Sequence, residues 1–182
     1  MTTVTIRPDG AGDLTEQDPQ PSGSVNWQNV DEETSDGDST YNQNAYETLK
    51  ILNDLYNLGS FSLPAGNVIN SVTVYVVTRN VVSLYGETRT LIKTNGTVYA
   101  GTVWSGENTY TTISTIYTTN PATDSAWTEA EVNALQAGSR LTTEYWKAAD
   151  AYTGGRTTQV YVVVDYSVPG IASKRLLVGV GL

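Results

Sequence analysis

The run Thr157-Thr158-Gln159-Val160-Tyr161-Val162-Val163-Val164-Asp165-Tyr166 constrains this chain more than any other feature. Gln159, Tyr161, Val163 and Asp165 alternate with Val160, Val162, Val164 and Tyr166. A pleated strand sends successive side chains to opposite faces. The segment therefore predicts a strand with the second set toward a core and the first set partly exposed. Comparable runs recur between turn-rich stretches at Val4–Arg7, Val25–Val30, Tyr46–Leu52, Val68–Arg79, Leu84–Lys93, Thr97–Trp104 and Ser114–Thr118. Many short strands with turn signals between them give an all-β fold, a sandwich or a barrel. The composition agrees: 12 Tyr stand against a single Phe and only 16% of residues are charged, which suits pleated surfaces with one buried and one wet face.

One helix is predicted within this pattern. Thr128 precedes Glu131 by three residues, the spacing of a capping box in which each side chain satisfies an orphan amide of the other. Ala130, Val132, Ala134 and Leu135 follow as an apolar stripe, and Gly138 stands where a helix-ending glycine is expected. The expectation is a helix over Glu129–Ala137 lying across one end of the sandwich, with Trp127 beneath it. Asn95-Gly96, between two candidate strands, predicts a type I′ hairpin turn because both central residues need positive φ.

Two segments read differently. Pro8 to Ser24 is rich in Gly, Pro, Asp and Gln, and predicts a long loop or arm, so residues 1–24 form a strand with an arm and residues 25–168 the sandwich. After the Pro169-Gly170 break, residues 169–182 turn apolar again, with Ile171, Leu176, Leu177, Val178, Val180 and Leu182 as candidate partner-binding residues. Such a tail either returns as an edge strand of its own domain or docks on a neighbouring chain by adding a strand.

Histidine and cysteine are both absent. That removes His-based acid–base catalysis, Ser-His and Cys-His nucleophile pairs, the usual zinc and copper sites and every disulfide. A net charge of −9 opposes binding to nucleic acid or an anionic membrane. Glu87, Glu107, Glu129, Glu131, Glu144 and Asp165 lie in no recognisable glycosidase setting, and Asp165 is expected to pair with Arg79, Arg89 or Arg156. The expectation is a protein that is not an enzyme, with no catalytic residues and no cofactor. Asp31, Asp36 and Asp38, around Gly37, are candidate oxygen ligands for a structural calcium ion, set against a solvated loop with Asx turns. Trp27, Trp104, Trp127 and Trp146 are candidates for a sugar-stacking platform, set against a role in core or interface. The start of the chain, Met1-Thr2-Thr3-Val4, has no basic segment followed by an apolar one, so no signal peptide is expected.

Several runs occur together in one order: Asp54-Leu55-Tyr56-Asn57-Leu58, Ile69 to Tyr75, Ile92 to Tyr99, Thr119-Asn120-Pro121 through Gly138, and Thr158 to Tyr166. Over residues 46–166 the chain resembles a group of jelly-roll structural proteins of tailed bacteriophages and related viruses. The stretch from Asn120 to Gly138 is the most specific part, and it is a structural signature rather than an active site. The resemblance implies a jelly-roll β-sandwich serving as a virion component. It would be a capsid decoration (cement) protein or, as the second choice, a tail- or fibre-associated piece, made in the host cytoplasm and displayed on the virion surface. Its implied partners are the major capsid protein and copies of itself, with a trimer as one arrangement, and it carries over no catalytic residues. The alternative is a carbohydrate-binding, adhesin-type sandwich on a tail, fibre or cell surface.

Overall fold

A computed structural model describes residues 2–44, 48–82, 85–146 and 151–168. In chain order the strands are β1 (Thr2–Ile6), β2 (Pro8–Thr15), β3 (Asp18–Gln20), β4 (Tyr41–Gln43), β5 (Ile51–Leu58), β6 (Val68–Asn80) and β7 (Glu87–Thr94). They continue with β8 (Thr97–Ala100), β9 (Thr111–Tyr117), β10 (Gln136–Thr142), β11 (Glu144–Trp146), β12 (Ala151–Thr153) and β13 (Gly155–Ser167). A 3-10 turn occupies Asn26–Asn29, and α1 spans Glu129–Ala134.

One antiparallel sheet runs β3-β4-β13-β6-β9, with β1 also paired to β13; the second runs β2-β5-β10-β7-β8. Taking β1, β5, β6, β7, β8, β9, β10 and β13 as the first to eighth strands, first-eighth-third-sixth faces second-seventh-fourth-fifth. Two interleaved Greek keys produce that order, which is the strand order of a jelly roll.

The long alternating runs place the core. On β13, Val160, Val162 and Val164 are fully buried against Val76, Val74 and Val72 of β6, their register partners. Tyr166 packs against the same cluster, so the expected inward set is the observed one. Ile92, Ala137 and Tyr56 answer from the second sheet, and Trp127, Val132 and Leu135 close the end beneath α1. The capping box is formed: Thr128 Oγ1 accepts from the Glu131 amide at 3.2 Å while the Glu131 carboxylate accepts from the Thr128 amide at 2.9 Å. Asn95 (φ 47°) and Gly96 (φ 79°) make the predicted turn between β7 and β8.

Other expectations are corrected. Pro8–Ser24 is not a free arm: β2 joins the second sheet beside β5, and β3 joins the first beside β4. Polar, Gly-rich residues suffice there because β2 is an edge strand that bulges over Gly12-Asp13-Leu14, and a Cβ on Gly12 would sit 2.4 Å from the Leu55 carbonyl. Val25–Val30 is the 3-10 turn rather than a strand, because Asn26 and Asn29 turn inward to hydrogen-bond. Helix α1 stops at Ala134: Leu135 is extended and β10 begins at Gln136. Gly138 therefore caps no helix. It lies mid-strand, where a Cβ would come 1.9 Å from the Asp54 carbonyl, and it allows β5 to lie close. The strands expected at Tyr46–Leu52 and Leu84–Lys93 are centred later, as β5 and β7, and residues 45–47 and 83–84 lie outside the described residues. Residues 169–182, with Ile171, Leu176, Leu177, Val178, Val180 and Leu182, also lie outside them.

Candidate functional site

Among the described residues, a dense hydrogen-bonded centre is built on Asp54 of β5, a fully buried carboxylate facing inward between the sheets. Its Oδ1 accepts from the backbone amides of Glu16 (2.7 Å) and Gln17 (2.9 Å). Its Oδ2 accepts from Asn26 Nδ2 (2.7 Å) and the Tyr56 hydroxyl (3.0 Å). Asn42 Nδ2 donates to the same hydroxyl at 2.9 Å, and Gln17 Nε2 donates to the Ser139 hydroxyl, which pairs with Thr157. Burial pushes the Asp54 carboxyl above its ordinary value despite these donors, and burial with the Asp54 charge pushes the Tyr56 phenol well up. The network ties β2, the 3-10 turn, β4 and both sheets to one buried point. Its donors find acceptors within the chain, and these hydrogen bonds hold the fold together.

Beside it opens a cleft of about 210 Å³, lined by Ala11, Thr15, Ser24, Val25, Asn26, Trp27 and Tyr56. Asn26 and Tyr56 form buried parts of its wall, while Trp27 is half-buried and Val25 is exposed. The cleft therefore offers an indole and aliphatic carbon with a few hydroxyls. It suits a small, mostly uncharged group.

The acidic loop is held by cations and hydroxyls of its own chain. Asp38 receives Arg79 at 3.0 Å and Arg156 at 2.8 Å, together with the Tyr110 hydroxyl at 2.8 Å. Partial burial works to raise the Asp38 carboxyl, but Tyr110, Arg156 and Arg79 outweigh it and hold it below its ordinary value. Asp36 accepts from Thr40 (2.9 Å) and Thr158 (3.1 Å), and Glu32 accepts from Thr40 (2.8 Å). Asp31 makes no common site with Asp36 and Asp38, and among the described residues no group of three acidic side chains is placed to hold a metal ion. The Arg79 and Arg156 guanidiniums also lie over Tyr110 and Tyr41. These arginines serve Asp38 rather than Asp165, which accepts from Asn70 instead.

The remaining candidates are dispersed. Glu131 is committed to the helix cap and to Asn120, while Glu87 (β7), Glu129 (α1) and Glu144 (β11) stand on separate elements and Glu107 precedes β9. The tryptophans form no row. Trp27 sits on the 3-10 turn and Trp104 bridges to Thr88, while Trp127 is buried and donates to the Tyr117 carbonyl. The side chain of Trp146 lies outside the described residues. On the outer face of the first sheet, Tyr75 and Tyr161 stack at 4.8 Å with Arg7 over Tyr161. Sequence reasoning missed Asp54, Asn26 and Asn42. The one available signal was an Asp inside an otherwise inward-alternating strand. Among the described residues no helix is long and apolar enough to cross a membrane. No protein family and no curated protein matches this sequence.

Proposed function

We propose that this chain is a non-enzymatic structural protein of a virus particle, a decoration protein that binds the capsid surface and neighbouring copies of itself. The observation that carries this reading is the eight-strand jelly-roll order, in which β5, β6, β7, β8, β10 and β13 overlap the segments on which the resemblance to phage structural proteins rests. The polar groups support it in kind: the acidic loop and the Asp54 centre are consumed in internal hydrogen bonds and ion pairs, as a scaffold requires. An acidic exterior keeps particles apart in solution, and repeated weak contacts across a shell add as avidity. The test is co-sedimentation of the purified chain with capsids of its virus stripped of their surface proteins. Saturable binding at a fixed ratio to the major capsid protein is expected. Failure to sediment with such capsids would remove the assignment.

The cleft beside Trp27 favours a second reading, a carbohydrate-binding module that takes one sugar residue against the indole. A glycan array probed with the wild-type chain and Trp27→Ala separates the two readings. Binding that disappears in the variant supports the second, and no binding to any glycan removes it.

A further inference from the structure

Among the described residues five strand edges of the two sheets are open, and four of them are protected against pairing with another chain. Strand β3 has three residues and contains Pro19; β2 is bulged and carries Asp9 and Asp13. Strand β8 has four residues closed by the Asn95-Gly96 turn, and β1 has five residues and runs into Arg7. Short length, proline, bulges and charge are the ordinary devices that keep an edge from templating a partner.

Strand β9 has none of them. It pairs with β6 in unbroken register over seven residues, Thr111 to Tyr117, and its other edge has no strand beside it among the described residues. Every residue from Asn108 to Thr123 is uncharged in a chain of net charge −9. Ile113, Thr115 and Tyr117 are half-buried toward the interior, whereas Thr112, Ser114 and Ile116 face outward, and Ile116 is 63% exposed.

We propose that β9 is a homodimer interface, pairing antiparallel with β9 of a second copy about a two-fold axis through Ser114. Two facts of the strand select a second copy as occupant. Two chains of net charge −9 repel at long range, and the uncharged segment 108–123 that holds β9 adds no like charge of its own to the contact. The sequence is also self-complementary about Ser114: Ile113 faces Thr115 of the second copy, Thr112 faces its Ile116 and Thr111 faces its Tyr117. Each pair joins β-branched or aromatic residues, the kind that stabilises cross-strand neighbours. The half-buried Ile113 and Tyr117 then continue the core across the seam, and the sheet β1-β13-β6-β9 runs on into its copy. An isologous contact of this kind closes on itself and leaves no free β9 edge. Seven residues bury less than a standard interface, so the association is expected to be weak and concentration-dependent.

The test is sedimentation velocity of the full chain over concentrations from about 1 to about 200 µM. A monomer–dimer equilibrium is expected. Ile116→Lys places a charge on an exposed position and is expected to weaken the dimer about tenfold or more, with the thermal unfolding transition unchanged when both chains are compared as dilute monomers. Thr112→Glu added to Ile116→Lys restores association, because residue 112 of one copy faces residue 116 of the other. Within one chain those residues are four apart on a strand, about 13 Å, and do not meet. A chain that stays monomeric throughout would overturn the proposal, as would a dimer indifferent to Ile116→Lys or a double variant no stronger than the single one. Loss of the dimer on removing residues 169–182 would assign the edge to that segment and overturn it equally.

Discussion

The two ends of the sandwich interior are built from different chemistry on the same strands. Beneath α1, the buried positions are mostly apolar, Val72, Val74, Val162, Val164, Ile92, Ala137, Trp127 and Leu135, joined by one polar pair in which Asn120 donates to Thr94. Farther along, β6 and β13 present Thr78 and Thr157, β7 presents Thr90 and Thr88, β10 presents Ser139 and β5 presents Asp54, with Leu52 and Leu141 beyond. Hydroxyl pairs bridge the sheets there: Thr78 to Thr88 at 3.0 Å, Thr90 to Thr115 at 2.7 Å and Ser139 to Thr157 at 3.1 Å. The first end gains from area removed from water and tolerates approximate shapes. The second gains only if every donor finds its acceptor, which fixes one arrangement of β2, β4 and the 3-10 turn.

The largest effect expected follows from that difference. Asp54→Ala removes the acceptor for two backbone amides, an Asn amide and a phenol, three of those bonds fully buried. It is expected to cost about 3–5 kcal/mol in denaturant unfolding. Leu135→Ala at the apolar end leaves a cavity alone and costs about 2–4 kcal/mol. A smaller loss for Asp54→Ala than for Leu135→Ala would erase the contrast between the ends.

A finer effect tests pairing itself. Thr90→Val strands the Thr115 hydroxyl and costs about 1 kcal/mol, whereas Thr90→Val with Thr115→Val removes both partners and comes back toward neutral. Additive losses in that double-mutant cycle would mean that the hydroxyls are not coupled.

The smallest effect is in pH. The folded chain holds Asp38 below its ordinary value of 3.8, so it favours the ionised form more than the unfolded chain does. The resulting stability is complete above the unfolded value and is lost as pH falls through the lowered folded one. Asp54, raised by burial, has the opposite sign: its carboxylate weighs against the fold at neutral pH, and that weight lifts as acid protonates it. Thermal melts of wild type and Asp38→Asn are expected to differ near neutrality, to approach each other only below pH 3.8 and to converge below the lowered folded value. A constant difference down to the lowest pH would remove the Asp38 clasp from the account.

The same contrast explains what was legible in the sequence. The apolar end announces itself by alternation, as in Val160, Val162 and Val164, and by local chemistry, as in the Thr128–Glu131 cap and the Asn95-Gly96 turn. Each is a signal contained within a few residues. The polar end depends on partners far apart in the chain: Gln17 reaches Ser139, and Asn42 reaches Tyr56. Thr, Ser and Asn look the same in sequence whether they face water or one another, so β2 read as an arm and Asn26–Asn29 as part of a strand. Gly138 misled for a related reason, since a glycine that ends a helix and one that admits a neighbouring strand differ only in what approaches them.

The measurement that tests the proposed role most directly is mass spectrometry of gradient-purified virus particles from the source, with this chain quantified against the major capsid protein. A virion decoration protein is expected at a fixed copy number comparable to that of the capsid protein. Complete absence from purified particles would contradict the assignment and leave a jelly roll whose role lies elsewhere.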